Sequence, residues 1–288
     1  MSRGTAPGKI LLLGEHAVVY GHPALAAAIP RFVTVDVEPA AEQQIELPGA
    51  LPTPPEVIEG AIAIARDAGF AGGFRAQVRS EIPLGSGLGS SAALGVALAR
   101  AFKPGCAPEE AARLAMHLER LLHGAPSGVD PAICARGGVI FFTRGDPPQI
   151  EEVRGSAWIC IVLSGIARGT RSTVMPLADR RKTDPMVDGN LRRLGELARS
   201  GRRYFESGDL RRLGDTFQTA HSFLRDGLEV SCPEVEAAIE ALIGARALGA
   251  KLTGAGGGGA AIGLASGEDH ARAMAAATGG FAVRIGPG

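Results

Sequence analysis

Paired cysteine motifs, long apolar runs and any surplus of charge of one sign are all missing from this chain. Its four cysteines, Cys106, Cys134, Cys160 and Cys232, form no CxxC pair and share no spacing with histidine that suits zinc. They read as reduced thiols of a cytoplasmic protein rather than as a disulfide frame. No apolar run approaches the ~20 residues that span a bilayer. The early stretch Ile10–Leu13 is broken at once by Gly14, Glu15 and His16, which argues against a signal peptide. Basic and acidic residues, 30 of each, cancel to a net charge of zero, and the short run Arg180–Lys182 is no nucleic-acid footprint. Also absent are the GxxxxGK[ST] loop of P-loop enzymes, the GxSxG turn of serine hydrolases, the HExxH of zinc peptidases and any repeat of solenoid period.

What is present is an ordinary globular composition, 45% hydrophobic and 21% charged, over 288 residues. That length suits one large domain or two modest ones. Glycine alone is unusual: 41 residues, twice the typical share of ~7%. Along the chain, Lys9–Leu13 reads as a strand, Ala24–Ile29 as a short helix ended by Pro30, and Arg31–Glu38 as a strand alternating on Phe32, Val33, Val35 and Val37. Residues 39–55 read as loop with at most a short strand. Helices are expected at Glu56–Ala68, Ser90–Phe102 and Pro108–Leu122, and strands at Arg75–Ile82, Val139–Phe142 and Trp158–Leu163. A domain boundary is expected near residue 155, separating 1–155 from 156–288. Beyond it lie helices around 186–206, 209–224 and 233–246. Ala250–Thr253 and Ala260–Leu264 form a hairpin, and helix Glu268–Ala277 and strand Phe281–Ile285 close the chain. Grouped strands and grouped helices, without regular βαβ alternation, predict an α+β fold.

Two glycine loops stand out. The first comprises Gly85, Ser86, Gly87, Leu88, Gly89, Ser90, Ser91 and Ala92, joining a strand to the start of a helix. A helix N-terminus exposes unpaired N–H groups and partial positive charge, and glycine lets an anion approach the backbone. Together these suit a phosphate, and Ser90 or Ser91 is placed to ligate Mg²⁺. A tight turn with serine as helix cap is the plain alternative. The second loop, Gly254–Gly259, matches GxGxxG through Gly254, Gly256 and Gly259. A strand-like segment follows it where a dinucleotide fold needs a helix, so that reading is set aside for a glycine hairpin. Such a run costs chain entropy, which close approach to a ligand or another backbone would explain.

Four polar residues or pairs invite a chemical role. Lys9 opens the first apolar strand, as a strand-end lysine or as a cation for phosphate or carboxylate. Glu15 and His16 interrupt that segment, as an internally satisfied pair or as site residues. Glu119 sits in the helix 108–122, where such a residue is most often solvated. Asp130 precedes Pro131, a helix-start signature, so it reads as a cap, as the acceptor of a hydroxyl proton, or as both.

The segments Ala6–Ile10 with Gly14–Gly21, Pro83–Ala93 and Lys251–Gly259 resemble, in order and spacing, the three motifs of the GHMP superfamily of small-molecule kinases. The first motif and the segment His123–Asp130 with Gly137 and Gly138 have the form carried by mevalonate kinases. The resemblance covers essentially the whole chain. It implies an N-terminal ribosomal-protein-S5-like domain and a C-terminal ferredoxin-like domain, with the site in the cleft between them. It implies ATP as phosphoryl donor, mevalonate as acceptor and Mg²⁺, with neither nucleic acid nor membrane as partner, in a monomer or homodimer. By resemblance, Lys9 and Asp130 face the acceptor hydroxyl, Ser91 and Glu119 hold the metal, and Gly85–Ala92 bind the ATP phosphates. Glu15, His16, Thr170 and Gly256 are implied beside the acceptor. Phe217–Glu236 is closer to galactokinase, which leaves a sugar acceptor such as galactose as an alternative. A non-catalytic ligand-binding homologue and an ATP-dependent decarboxylase are further ones.

Overall fold

The structure, a computed structural model, describes residues 1–49, 52–83, 85–166 and 171–286, with the side chains of 171–176 left aside. The chain divides into two compact units. The first comprises Met1–Lys9, Pro30–Pro83 and Gly89–Gly137; the second comprises Ile10–Ile29, Leu84–Leu88 and Gly138–Gly288. Two long strands, β1 (Ser2–Leu13) and β2 (Ala24–Ala40), contribute residues to both.

In the first unit, β2 runs antiparallel to β4 (Gly73–Ser80), with Val33 opposite Ser80 and Ala40 opposite Gly73. The short β3 (Gln43–Glu46) lies parallel to β4, and α1 (Pro55–Asp67) makes the crossover between them. Alternation puts Val33, Val35 and Val37 of β2 and Phe74, Ala76 and Val78 of β4 in the core. Among the described residues the unit has three more helices: α2 (Ser90–Phe102), α3 (Pro108–His123) and α4 (Val129–Arg136). Ala92–Ala99 is buried without a break, as befits a helix apolar on all sides. By contrast α3 is amphipathic, turning Leu114, Ala115 and Leu118 inward. Phe70, Phe74 and Phe102 pack edge-on and tilted at 4.8–6.4 Å between centroids. The Arg100 guanidinium donates at 2.6 Å to the carbonyls of Thr5 on β1 and Ala135 on α4. It thereby satisfies a carbonyl in the last turn of α4 and ties that helix to β1.

In the second unit, Ala24–Ala27 pairs antiparallel with β5 (Val139–Thr143), which pairs with β6 (Gln149–Glu152). A separate four-stranded antiparallel sheet has the order β10–β7–β9–β8, from Phe281–Ile285, Ala157–Leu163, Ala260–Ala265 and Gly249–Thr253. Among the described residues five helices join these strands: α5 (Arg171–Thr183), α6 (Pro185–Ser207), α7 (Leu210–Ser222), α8 (Pro233–Gly244) and α9 (Glu268–Thr278). A single π turn, Phe223–Gly227, continues α7.

The expected short helix at Ala24–Ile29 is a strand instead. Alanine favours a helix by less than ~1 kcal/mol per residue, and pairing of a fully buried run overrides that. The side chains of Ala24–Ala27 have no exposed surface and oppose Phe142–Val139. Pro30, which has no N–H to donate, does not stop the strand, because it falls between the residues paired with β5 and those paired with β4. Strand β6 and helix α5 were not expected. Strand β1 begins at Ser2, seven residues before its expected start at Lys9, and the other expected elements lie within a few residues of their observed bounds.

Candidate active site

Asp130, Lys9, Glu119, Ser91 and His123 come together in the first unit. Lys9 is 3% exposed, and its Nζ lies 3.0 Å from Asp130 Oδ2, whose side chain keeps 29% of its surface. Burial pulls the Lys9 ammonium down, but the charge and hydrogen bond of Asp130 outweigh it and leave the group above its ordinary value. Asp130 is not the cap of α4. Gly128, in the left-handed region, takes that position, and Asp130 is the second residue of the helix. A carboxylate in a first helical turn is stabilised by the unpaired N–H groups there.

The buried position of Glu119 on α3 breaks the polar-out pattern. It is 3% exposed and accepts a hydrogen bond from Ser91 Oγ on α2 at 2.7 Å. Burial pushes its carboxyl up to about 7; Asp130 adds to the rise, while the Ser91 bond and Lys9 offset part of it. His123, one turn further along α3, places Nε2 3.1 Å from the same Ser91 Oγ. Among the described residues its buried Nδ1 has no partner. Burial lowers the imidazole below its ordinary range. His123 had no role in the sequence reading; the signal was its four-residue spacing from Glu119, which puts both on one helix face.

The first glycine loop turns directly into α2. Gly85, Gly87 and Gly89 all have positive φ, and no side chain caps the helix. Its N–H groups are therefore oriented for an anion. Gly89 is constrained twice over: its φ is +78°, and a Cβ there would lie 2.6 Å from Lys9 Cγ. With Lys9 buried and held by Asp130, it has little room to yield. Gly89→Ala is expected to lower kcat ~10²-fold by displacing Lys9, with a lower melting temperature. A steady-state assay beside a thermal melt checks this, and unchanged kcat in a folded variant counts against it.

In the second unit, Glu15 and His16 meet the third motif. Glu15 pairs with Lys251, and both side chains have no exposed surface. His16 takes a left-handed φ of 58° and sets Nε2 2.9 Å from the carbonyl of Ala255. Burial lowers its imidazole to about 4, so at neutral pH the ring is uncharged and donates its N–H to that carbonyl. Gly256 is held against the backbone, where a Cβ would meet Val230 O at 2.0 Å. Gly87 and Gly259, both with positive φ, bring the two glycine loops together: Gly87 would meet Thr253 O at 3.5 Å and Gly259 would meet Ser86 O at 3.1 Å. Thr170 lies outside the described residues.

The low His16 value has a measurable consequence. Between pH 6.5 and 4 the unfolded chain takes a proton at this ring that the folded chain refuses, so stability falls as pH falls through that window. The full loss is on the order of 3 kcal/mol for a buried ring. Denaturant midpoints at pH 7 and pH 4.5 are expected to converge in His16→Gln relative to the unsubstituted chain. An equal acid loss in both would contradict the burial of a neutral ring.

Comparison with known proteins bears on this geometry. The model of the GHMP kinases N terminal domain matches residues 56–138, and that of the GHMP kinases C terminal region matches 188–279. The chain belongs to the GHMP kinase family. Within it, the mevalonate kinase of Thermococcus sibiricus is 33% identical, across 91% of this chain and 88% of the relative. That of Aeropyrum pernix is 35% identical with the same coverage. Among solved structures, L. major mevalonate kinase in complex with R-mevalonate superposes with a TM-score of 0.85 at 24% identity, covering 100% of this chain and 96% of that one. Lactococcus lactis galactokinase complexed with galactose gives 0.69 at 22% identity, over 100% and 94%. At such identities these two structures speak for the fold.

Proposed function

We propose that this chain transfers the γ-phosphoryl group of ATP to the primary hydroxyl of mevalonate, giving 5-phosphomevalonate for isoprenoid synthesis in the cytoplasm. The observation that carries the reading is the Lys9–Asp130 pair beside Ser91 and Glu119, in a chain about a third identical to mevalonate kinases along nearly its whole length. Phosphoryl transfer asks mainly for positioning and charge stabilisation. Asp130 orients the acceptor hydroxyl and takes up its proton. Lys9 offsets charge on the transferred group. Gly85–Ala92 cradle the phosphates at the start of α2.

The residues present fit a divalent cation. Ser91 and Glu119 offer two adjacent oxygen donors on facing helices, one of them a buried carboxylate short of a full counter-charge. That is the donor chemistry of Mg²⁺, which takes one or two protein oxygens and completes its shell with phosphate and water. Bound there, Mg²⁺ supplies charge neutralisation to the phosphates. His16 and Gly256 are assigned to the acceptor side in the same reading, and Thr170 with them on sequence alone. The division of the chain into 1–155 and 156–288 belongs to this proposal too: it groups Lys9, Gly85–Ala92, Glu119 and Asp130 apart from the loop Gly254–Gly259.

The test is ADP release by the purified chain with Mg²⁺-ATP and, in turn, mevalonate, phosphomevalonate, diphosphomevalonate, galactose and homoserine. Saturable turnover with mevalonate is expected. Turnover with galactose instead would make Phe217–Glu236 the better guide to the acceptor. CO₂ release from diphosphomevalonate would make the chain a decarboxylase, and inertness with every acceptor would leave a ligand-binding homologue.

A further inference from the structure

Lys251 is a lysine with no exposed surface in the middle of a protein, and nothing in the kinase reading uses it. Its ammonium donates to the Glu15 carboxylate and to the carbonyl of Leu252 at 2.6 Å, with the carbonyl of Leu11 at 3.5 Å. Two residues on, Thr253 Oγ1 accepts from Leu11 N at 2.8 Å and donates to Leu11 O at 3.0 Å. Strand β8, which carries both residues, pairs in its sheet only with β9 among the described residues. Side chains therefore fasten the first motif to the third: Leu11 to Thr253, Glu15 to Lys251, and His16 to the Ala255 carbonyl.

A buried ion pair is weak evidence for stability, since desolvation of both charges opposes their attraction. Its value lies in geometry, because each charge helps to fix where the other stands. Glu15 is followed by His16 at a positive φ of 58° with ψ −44°, a backbone conformation uncommon for a residue with a side chain. Lys251 is followed by the strand end that launches Gly254–Gly259 and backs on to Ser86 and Gly87. A carboxylate with no exposed surface is also out of reach of a small polar acceptor.

We propose that Glu15 and Lys251 are a positioning pair, which sets His16 and the loop Gly254–Gly259 for the reaction, and that Glu15 does not touch the acceptor. The proposal rests on the kinase reading above. The experiment compares kcat, both Michaelis constants and the melting temperature for the unsubstituted chain, Glu15→Gln, Lys251→Met, the double variant and Thr253→Val. Each single change at the pair is expected to lower kcat ~10²-fold, the scale of a 1 Å misplacement, with the acceptor KM within about threefold. The double variant, which leaves no buried charge alone, is expected to regain at least ~10-fold of that loss and to melt above either single variant. Thr253→Val is expected to fold and to lose ~10-fold in kcat at unchanged acceptor KM.

An acceptor KM that rises ~10-fold in Glu15→Gln and stays high in the double variant would overturn the proposal, because Glu15 would then contact the acceptor. A folded double variant as slow as the singles also overturns it. If the single variants fail to fold, the double variant and Thr253→Val decide on the same criteria. If the unsubstituted chain phosphorylates none of the acceptors, the kinase reading fails on its own, and the melting temperatures alone still show whether the pair is coupled.

Discussion

Asp130→Ala is expected to lower kcat for mevalonate phosphorylation by ~10²–10⁴, the usual range for a general base, while the KM for ATP changes little. The side chain keeps 29% of its surface while bonded to a buried ammonium, so it can meet a substrate hydroxyl without giving up Lys9. Removing it has a second effect that must be separated from the first. Lys9, 3% exposed, would be left as a buried cation without its partner. Stranding a fully buried charge costs ~3–5 kcal/mol; with Asp130 at 29% exposure the cost here is a fraction of that. The separation comes from a second variant, Lys9→Met with Asp130→Ala, in which no charge is stranded. Its melting temperature is expected to recover towards that of the unsubstituted chain, while kcat stays at the level of Asp130→Ala or below. Rapid-quench measurement of phosphoryl transfer beside a thermal melt reads both quantities. A near-normal rate in Asp130→Ala would remove the proton-accepting role and leave Asp130 as the partner of Lys9 alone.

How far this site was legible in the sequence differs residue by residue, for physical reasons. The turn at Gly85–Ala92 was readable because it is local: glycines at positive φ followed at once by a helix start lie within eight residues. Helix α2 was placed at its observed bounds for the same reason. Glu119 was not readable from its own helix, where a glutamate beside Arg120 looks solvated. Only the packing of α2 on α3 buries it, and that brings up a residue 28 positions away. Lys251 was hidden by a larger separation still, its partner lying 236 positions earlier. Ala24–Ile29 failed in the opposite sense. An alanine run has a strong local preference and no alternation, so nothing in the segment itself reveals that it lies between paired strands. Asp130 before Pro131 reads as a cap, and nothing in the sequence shows that Gly128 turns the chain two positions earlier. Local chemistry could thus be read from the sequence, and contacts made by the folded chain could not.

Glu119→Gln is expected to divide stability from activity in opposite directions. The carboxyl is raised from an ordinary 4.5 to about 7, chiefly by burial. The folded chain therefore holds this proton more tightly than the unfolded chain. This carboxyl's contribution to metal-free stability is greatest below pH 4.5 and falls as pH rises from there through 7. For a fully buried group that loss is on the order of 3 kcal/mol by pH 8. Glutamine keeps the shape and can still accept from Ser91 Oγ, so metal-free Glu119→Gln is expected to be the more stable protein at pH 8 and to match the unsubstituted chain near pH 4.5. Denaturant midpoints in the presence of a chelator test this. Activity moves the other way. A group that orients a metal ligand from outside is worth 10–100-fold in affinity or rate, and a ligand itself is worth no less. The variant is expected to lose at least ~10²-fold in kcat/KM for Mg²⁺-ATP, and the affinity of the protein for Mn²⁺ in the presence of nucleotide should weaken in parallel. A cation at this site needs the carboxylate, so its binding below pH 7 must displace the Glu119 proton, and affinity should fall as pH drops through 7. Glutamine has no proton to displace, and that fall should vanish with it. If Glu119→Gln is no more stable at pH 8 than the unsubstituted chain, the buried carboxyl is not raised; if it is more stable but equally active, Glu119 holds no metal, and the cation must be carried by the phosphates and Ser91.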